Sequence, residues 1–556
     1  MKEVFNNLKV KKAGVIFLLF LISTLSMYGQ RTITGTVVSA DDNEPLIGAT
    51  VSVQGTTTGT ITDVSGEFSI QADNDDVLVV SYVGYQTIEI PVGDRTNIEV
   101  SLEVSLTDLE ELVVVGYGKQ RERDLTSSIV TVESEEITKT PAGQIMQALQ
   151  GKVAGVQIIS SGEPGSSPTV RVRGLGSLPG FGDSDPLYVV DGMFVEDIGF
   201  LNSSDIESVT VLKDASAAAI YGVRAANGVI LVETKTGTYN KAPEVTYDGY
   251  YGYQVPTNVL KMSNSQQFAR YVRETGDPAD LTFLQNAMQR YGRSRVDPNI
   301  PVTNTDWYEE VLQNGPMTNH SLSLTGGAEN VRYSFGANYF FQEGLLNVIK
   351  NEYERFNFRT KVDFQATDRL SMGGNFNITN ATRYDAPDGV WFRTYFAVPV
   401  LPVYDDIDPE VGPVPVANAQ NLGYRGQQNP FFALHYNNDR NKMGDFLGNF
   451  YFEYDLIPDK LAFRMTYNYD YGTNNSRNVN FAYNDGQTEY VNSMSRSSRT
   501  TFNQIWDNIL TYEDSFGDHN LTLMAGYSYR SEQTEGVFAR GTEIPGLNLE
   551  QEELWY

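Results

Sequence analysis

The sequence has no cysteine in 556 residues. That excludes a disulfide framework, thiolate chemistry and a lipid-modified N-terminal cysteine. Histidine is nearly absent as well, with only His320, His435 and His519, scattered through the second half. They cannot make a clustered His/Cys zinc site, and they give little basis for a His-dependent catalytic triad. Positive charge is scarce: 41 Lys and Arg stand against 70 Asp and Glu, a formal net charge of −29. Such a balance repels nucleic acid. Long apolar runs occur once. Ala13–Met27, "AGVIFLLFLISTLSM", follows a basic start and is too short for a comfortable membrane helix of about 20 residues. Tyr28, Gly29 and Gln30 come next, so residues 1–29 read as an export signal cleaved near Gly29 or Gln30.

Aromatic residues, by contrast, are plentiful: 33 Tyr and 28 Phe, with aromatics making up 12% of the chain. They are distributed over three textures. Residues 30–105 read as a small β-sandwich, because short strands alternate with turns rich in Gly, Asp and Asn. "TDVSGEFSI" reads as a hairpin with Gly66 at its tight position. Asp73, Asn74, Asp75 and Asp76 lack the glycine and bidentate glutamate of an EF-hand loop, so a solvated turn is expected there. Residues 119–238 are mixed α/β: "AGQIMQALQGKVAGVQI" places a helix before a strand. "DIESVTVLKDASAAAIYGVRAANGVILVETKTG" reads strand, short Ala-rich helix, glycine turn and apolar strand. "GLGSLPG", Gly174–Gly180, has the wrong spacing for a nucleotide loop and reads as a flexible loop.

Residues 239–556 carry long strands. Val331, Tyr333, Phe335, Ala337, Tyr339 and Phe341 share one face, against Arg332, Ser334, Gly336, Asn338 and Gln342, with Phe340 out of pattern. Phe356, Phe358, Val362 and Phe364 likewise oppose Arg355, Asn357, Arg359, Lys361 and Asp363. Such period-two runs of about 12 residues rise about 30 Å when tilted, enough to cross the apolar band of an outer-membrane barrel. The polar face is then the inner one, and the aromatic excess suits girdles at the membrane interfaces.

Nine such strands are expected, starting near residues 244, 319, 331, 354, 369, 444, 461, 500 and 519. Short connections ("TGGAEN", "ATDR", "IPDK", "FGDH") alternate with long ones, the longest at residues 381–443. Barrels of this kind have short periplasmic turns and long external loops. The parity starts the first strand in the periplasm and sends the ninth outward, an odd count that cannot close. The expectation is therefore the first part of a large transmembrane antiparallel β-barrel, the front portion of a longer protein.

Between these segments lies "DLEELVVVGYG", Asp108–Gly118. Its Val run has strand propensity and needs an edge to pair with. On the residues alone it is either the last strand of the sandwich or a segment that pairs elsewhere.

The motifs "LEELVVVGYG", "ALQGKVAGVQI", "VRVRGLGSL", "DPLYVVDG" and "IESVTVLKDASAAAIYGVRAANGVILVETKTG" closely resemble the SusC/RagA class of TonB-linked outer-membrane transporters. Residues 30–105 resemble a carboxypeptidase regulatory-like, immunoglobulin-like domain. The resemblance implies a TonB box at residues 106–118 and a plug at 119–238. The box residues are Leu109, Leu112, Val113, Val114, Val115, Gly116, Tyr117 and Gly118, the glycines keeping it loose. It implies energised import of oligosaccharides or peptides, with periplasmic TonB and a SusD-like surface lipoprotein as partners, in contact with outer-membrane lipid. It implies no cofactor and no catalysis.

Arg171, Arg173 and Arg224 sit in plug motifs and are expected to pair with lumen carboxylates. Trp391, Phe392 and Tyr395, in the longest loop, are candidates for substrate contact, and "YDDIDPE", Tyr404–Glu410, reads as a solvated acidic loop. A secreted β-rich adhesin would turn its apolar faces inward, against the pattern. An extracellular glycosidase needs paired carboxylates about 5–10 Å apart, and the acidic residues show no such organisation.

Overall fold

The computed structural model describes residues 31–549 apart from 41–43, 55, 57, 83–84, 103–111, 116–117, 122–128, 177–183, 407–410 and 518. The export signal, Leu109, Gly116, Tyr117 and most of Gly174–Gly180 lie outside the described residues. The chain divides into two units between Thr126 and Ser127.

In the first unit, strict alternation builds a sandwich. Glu67–Ala72 and Asn97–Leu102 both bury every second residue. A three-stranded sheet orders 67–72, 31–39 and 97–102; a four-stranded sheet orders 59–61, 50–53, 77–81 and 88–91. Ile33, Val37, Val51, Phe68, Leu78 and Val80 fill the space between them. The hairpin expected around Gly66 is corrected: its flanking strands, 59–61 and 67–72, lie in different sheets. The turn itself forms, with Gly66 at φ +73° and its N–H donating to Asp63 O at 3.0 Å. Burial on both sheets overrides the local pairing that a tight turn suggests. The acidic turn closes on itself, the Asp73 N–H donating to Asp76 Oδ2 at 2.8 Å.

Leu112–Val115 forms a strand that joins neither sheet of the sandwich. It pairs antiparallel with Gly118–Arg121, Leu112 opposite Arg121 and Val115 opposite Gly118. Gly118, expected to loosen the segment, instead opens this partner strand. No third strand joins the pair among the described residues.

The second unit opens with an α/β domain. Its five-stranded sheet orders 129–133, 206–212, 229–234, 187–190 and 193–195. The central strands are buried on both faces and mostly apolar, as strands covered on both sides are. Ile145–Ala148 is a single helical turn before the strand Val156–Ile159. The Ala-rich stretch gives a short helix, Ala215–Ala218, running into a 3-10 segment that stops at Gly228.

A nine-stranded antiparallel sheet follows, in strict sequence order. Its strands are β1 (Glu244–Gln254), β2 (Gly315–Gly327), β3 (Val331–Glu343), β4 (Glu352–Thr367), β5 (Leu370–Asp385), β6 (Asn437–Ile457), β7 (Leu461–Asn480), β8 (Ser493–Phe516) and β9 (His519–Thr542). The polar face is the buried one: Arg355 is 2% exposed, and its neighbour Phe356 is 52% exposed. A water-soluble sheet has the opposite sense, so this wall faces lipid. β1 and β9 are the two open edges and do not pair with each other.

Strands β6 and β8 begin at Asn437 and Ser493, earlier than the expected 444 and 500. Their first residues, "NNDRNKM" and "SMSRSSR", are polar apart from Met443 and Met494, so alternation does not mark them. The ladder of β6 with β7 nevertheless continues up to Asn437 opposite Asn480. The long connections contain α1 (Ser265–Thr275), α2 (Pro278–Tyr291), α3 (Trp307–Val311), α4 (Val390–Phe396) and α5 (Phe431–Tyr436). These elements share a core of their own, including Phe283, Trp307, Val400, Phe431 and Phe432.

Candidate functional site

The α/β domain sits against the polar face of the sheet, and β4 supplies most of the seat. Period two places Arg355, Asn357, Arg359 and Lys361 on that face, and each donates to the α/β domain. Arg355 Nη1 donates to Gly199 O, and Asn357 Nδ2 to Phe200 O. Arg359 Nη1 donates to Lys235 O at 2.8 Å, while its Nη2 reaches Asp205 Oδ1 at 3.3 Å and Ser334 Oγ at 3.0 Å. Lys361 Nζ donates to Asp191 Oδ1 at 3.0 Å. On β5, Asn375 Nδ2 donates to Asp191 Oδ2 at 2.7 Å, and Ser204 Oγ donates to Ser321 Oγ on β2 at 2.7 Å.

Two carboxylates of the α/β domain anchor this network. Asp191 turns the chain between the strands Leu187–Val190 and Met193–Val195, at φ +46°. It accepts from Thr234 N at 3.1 Å and Thr234 Oγ1 at 2.6 Å, besides Lys361 and Asn375. Burial alone would raise its pKa, but the Lys361 ammonium and the Thr234 hydrogen bonds outweigh it and hold the carboxyl below its usual range. Asp205 precedes the strand Ile206–Leu212; its side chain is 7% exposed and that of its partner Arg359 3%. Gly336 on β3 makes the room it needs, since a Cβ there would lie 2.7 Å from Asp205 Oδ1.

Phe340, the residue out of pattern, points into the seat. It is 1% exposed, and a Cβ on Gly143 of the α/β domain would lie 2.9 Å from its ring.

The expected pairing of plug arginines with wall carboxylates holds for Arg224, but the buried charge pairs run the other way. The cations lie on the wall and the carboxylates on the α/β domain. Of the three arginines singled out, Arg224 approaches Glu532 of β9 at 3.8 Å, with both side chains well exposed. Arg171 and Arg173 form no ion pair among the described residues; Arg173 N donates to Gly155 O at φ +58°. The sequence places Arg359 and Lys361 on the inward face, but nothing local in it names Asp205 or Asp191 as their partners.

Trp391, Phe392 and Tyr395 lie on α4 at helical spacings that put them on one side. They are 46%, 54% and 47% exposed. Phe396 packs between two of them, its ring centroid 4.7 Å from Phe392 and 4.9 Å from Tyr395. The acidic stretch behind them is not fully solvated. Asp405 is 5% exposed, ion-paired with Arg290 and accepting from Tyr291 Oη at 2.7 Å, an arrangement that pushes the Tyr291 pKa up through burial and the nearby carboxylate. Residues 407–410 lie outside the described residues. Among the described residues no group of three or more His, Asp or Glu is placed to hold a metal ion.

Residues 121–229 match the family model of the TonB-dependent Receptor Plug Domain, and residues 33–114 that of the CarboxypepD_reg-like domain. TonB-dependent receptor P3 of Formosa agariphila is 35% identical over 98% of this chain and 53% of its own length. TonB-dependent receptor SusC of Bacteroides thetaiotaomicron is 30% identical over 93% of this chain and 52% of its own. The solved RagAB peptide importer in its open-open state superposes with a TM-score of 0.65 at 24% identity, covering 78% of this chain and 50% of that one. The chain thus spans about half the length of the curated relatives it matches.

Fold, seat and matches together define a plug domain seated on part of the wall of an outer-membrane β-barrel. The chain belongs to the TonB-dependent receptors, and within them to the SusC/RagA family.

Proposed function

We infer that the whole protein imports oligosaccharides or peptides across the outer membrane, driven through TonB. The observation that carries this reading is the seat itself. The α/β domain is held on the polar face of a lipid-spanning sheet by side chains that water can replace. Such a domain closes a lumen and can be moved. No step of this reading calls for a catalytic group.

The TonB box is assigned to Leu109–Gly118. Leu112–Val115 is already extended and, among the described residues, pairs with one strand, which leaves its other edge for β-augmentation. Main-chain hydrogen bonds to a TonB strand supply affinity there, and alternate side chains supply specificity. A SusD-like lipoprotein is assigned as the external lid. Trp391, Phe392 and Tyr395 are assigned to substrate contact, since flat, half-exposed rings suit sugar faces or apolar peptide side chains. RagAB is a peptide importer, which supports keeping peptides beside glycans as the substrate class.

Val114→Pro in the full-length receptor tests this function. Proline removes a ladder N–H and blocks pairing at the box. The expected result is lost uptake with surface binding of the substrate retained, together with lost binding of the TonB C-terminal domain to a peptide spanning 106–118. Uptake at the unsubstituted rate would overturn the assignment.

A further inference from the structure

Behind the exposed rings of α4 runs a chain of hydrogen bonds that ends in an arginine. It starts at Asp485, which is 1% exposed. One carboxylate oxygen of Asp485 accepts from Gln487 N at 2.9 Å and from Thr488 N at 2.8 Å. The other accepts from Gln428 Nε2 at 2.7 Å, and the same Nε2 donates to Tyr490 Oη at 3.2 Å. Tyr490 is fixed in turn by stacked rings. Its centroid lies 4.4 Å from that of Tyr483, which lies 4.4 Å from that of Tyr436, at interplanar angles of 12° and 13°. A carboxylate takes only the NH2 end of an amide. Gln428 therefore presents its Oε1 as an acceptor, and Arg393 Nη1 donates to it at 3.2 Å.

Arg393 is thereby aimed without being neutralised. Among the described residues Gln428 is its one hydrogen-bond partner, and it makes no ion pair there. The Asp485 carboxylate is taken up by its own turn and by Gln428. Asp388, five residues before Arg393, and Glu489, beside Tyr490, are exposed and form no ion pair with it. Arg393 also borders the rings. Phe392 precedes it on α4, and Phe396 follows three residues on, a spacing that makes two side chains neighbours on a helix surface. A partly buried guanidinium with most of its donors unused thus stands beside flat, half-exposed rings.

A single uronic acid residue offers both complements at once. Its pyranose face and its carboxylate belong to one ring. A peptide would need two residues, one apolar and one acidic, held in a fixed relative pose.

We propose that Arg393 selects an oligosaccharide that carries carboxylates. One uronate carboxylate meets the unused side of the guanidinium fork while the sugar face lies on the α4 rings. The proposal rests on the assignment of Trp391, Phe392 and Tyr395 to substrate contact. Gln428 and Asp485 are positioning residues that hold the guanidinium.

Titration calorimetry on the full-length receptor in detergent tests it. The probes are oligogalacturonate and oligomannuronate, each beside its carboxyl-reduced neutral form, and a hexapeptide with a free or an amidated C-terminus. The unsubstituted receptor is expected to bind at least one oligouronide about tenfold or more tighter than its neutral form, the size of a charge-assisted contact. Arg393→Gln should abolish that preference and leave binding of the neutral form as it was. Arg393→Lys keeps the charge but loses the planar fork, and should keep part of the preference. Replacing Trp391, Phe392 and Tyr395 together by alanine should weaken both forms alike. If the alanine variant changes neither, the ring assignment falls and the proposal with it. If it weakens both while Arg393→Gln changes neither, the rings stand and only the proposal falls. No oligouronide bound above its neutral form, or a preference confined to the peptide acid over its amide, would also overturn it.

Discussion

Gly336 lies directly under Asp205, where a Cβ would stand 2.7 Å from the carboxylate oxygen that Arg359 holds. Gly336→Ala therefore pushes Asp205 out of register with Arg359. The expected cost is about 1–3 kcal/mol of seating stability, as for other overpacked sites. Amide hydrogen exchange on the full-length receptor checks it: residues 199–236 should exchange faster, while β6–β9 stay as they are. Unchanged exchange in the plug would mean that the seat has slack there.

Removing Arg359 is expected to cost more than crowding its partner. Arg359→Met strands the buried Asp205 carboxylate, and breaking such a pair costs about 3–5 kcal/mol. The double variant Asp205→Leu with Arg359→Met removes the stranded charge and should recover most of the loss. Thermal unfolding of the three proteins gives the answer. A double variant no better than the single one would show that the hydrogen bond from Arg359 to the Lys235 carbonyl matters more than the charge pair.

Acid should loosen the plug through Asp191. Its carboxyl is held below the usual range, so its contribution is fully present above about pH 4, where an unfolded aspartate is ionised. That contribution is lost as the pH falls through the lowered value. Conductance of the receptor in planar bilayers should rise in that acid range. Asp191→Asn should give a looser plug at neutral pH and a flatter acid response.

The exposed rings of α4 are expected to act on binding and not on folding. Replacing Trp391, Phe392 and Tyr395 by alanine should weaken substrate binding about tenfold or more, the loss of two or three ring contacts. Because the rings are half-exposed, the melting temperature should move little. A large drop in melting temperature with binding intact would place them in the packing of the loops.

The long strands were legible because a lipid-facing wall imposes one rule on every residue. Phe356 and Arg355 differ in face, and the alternation says so. The same rule failed where lipid ends. The starts of β6 and β8 pair through their backbones, and no alternation reports a ladder whose residues are nearly all polar. Phe340 broke the rule because its partner is Gly143, a neighbour supplied by another domain. The pairing of Lys361 with Asp191 spans 170 residues, and no periodicity connects them. Hence the inward cations could be read as inward, while the carboxylates that receive them could not be read at all. The open edge of Leu112–Val115 was partly legible: its strand character lies in the Val run, but the companion strand Gly118–Arg121 contains no apolar residue to announce it.

The polar character of the seat has a consequence for how the plug leaves it. A joint made of apolar side chains resists parting because the surfaces it opens are poorly hydrated. At the Arg355, Asn357, Arg359 and Lys361 row, each contact is a donor meeting an acceptor, and water entering the gap can satisfy both. Work done on the plug along this row is returned in part, bond by bond, as solvent follows the separating surfaces. The wall therefore behaves less like glue than like a zip fastener, firm while closed and cheap to advance once its first tooth is free.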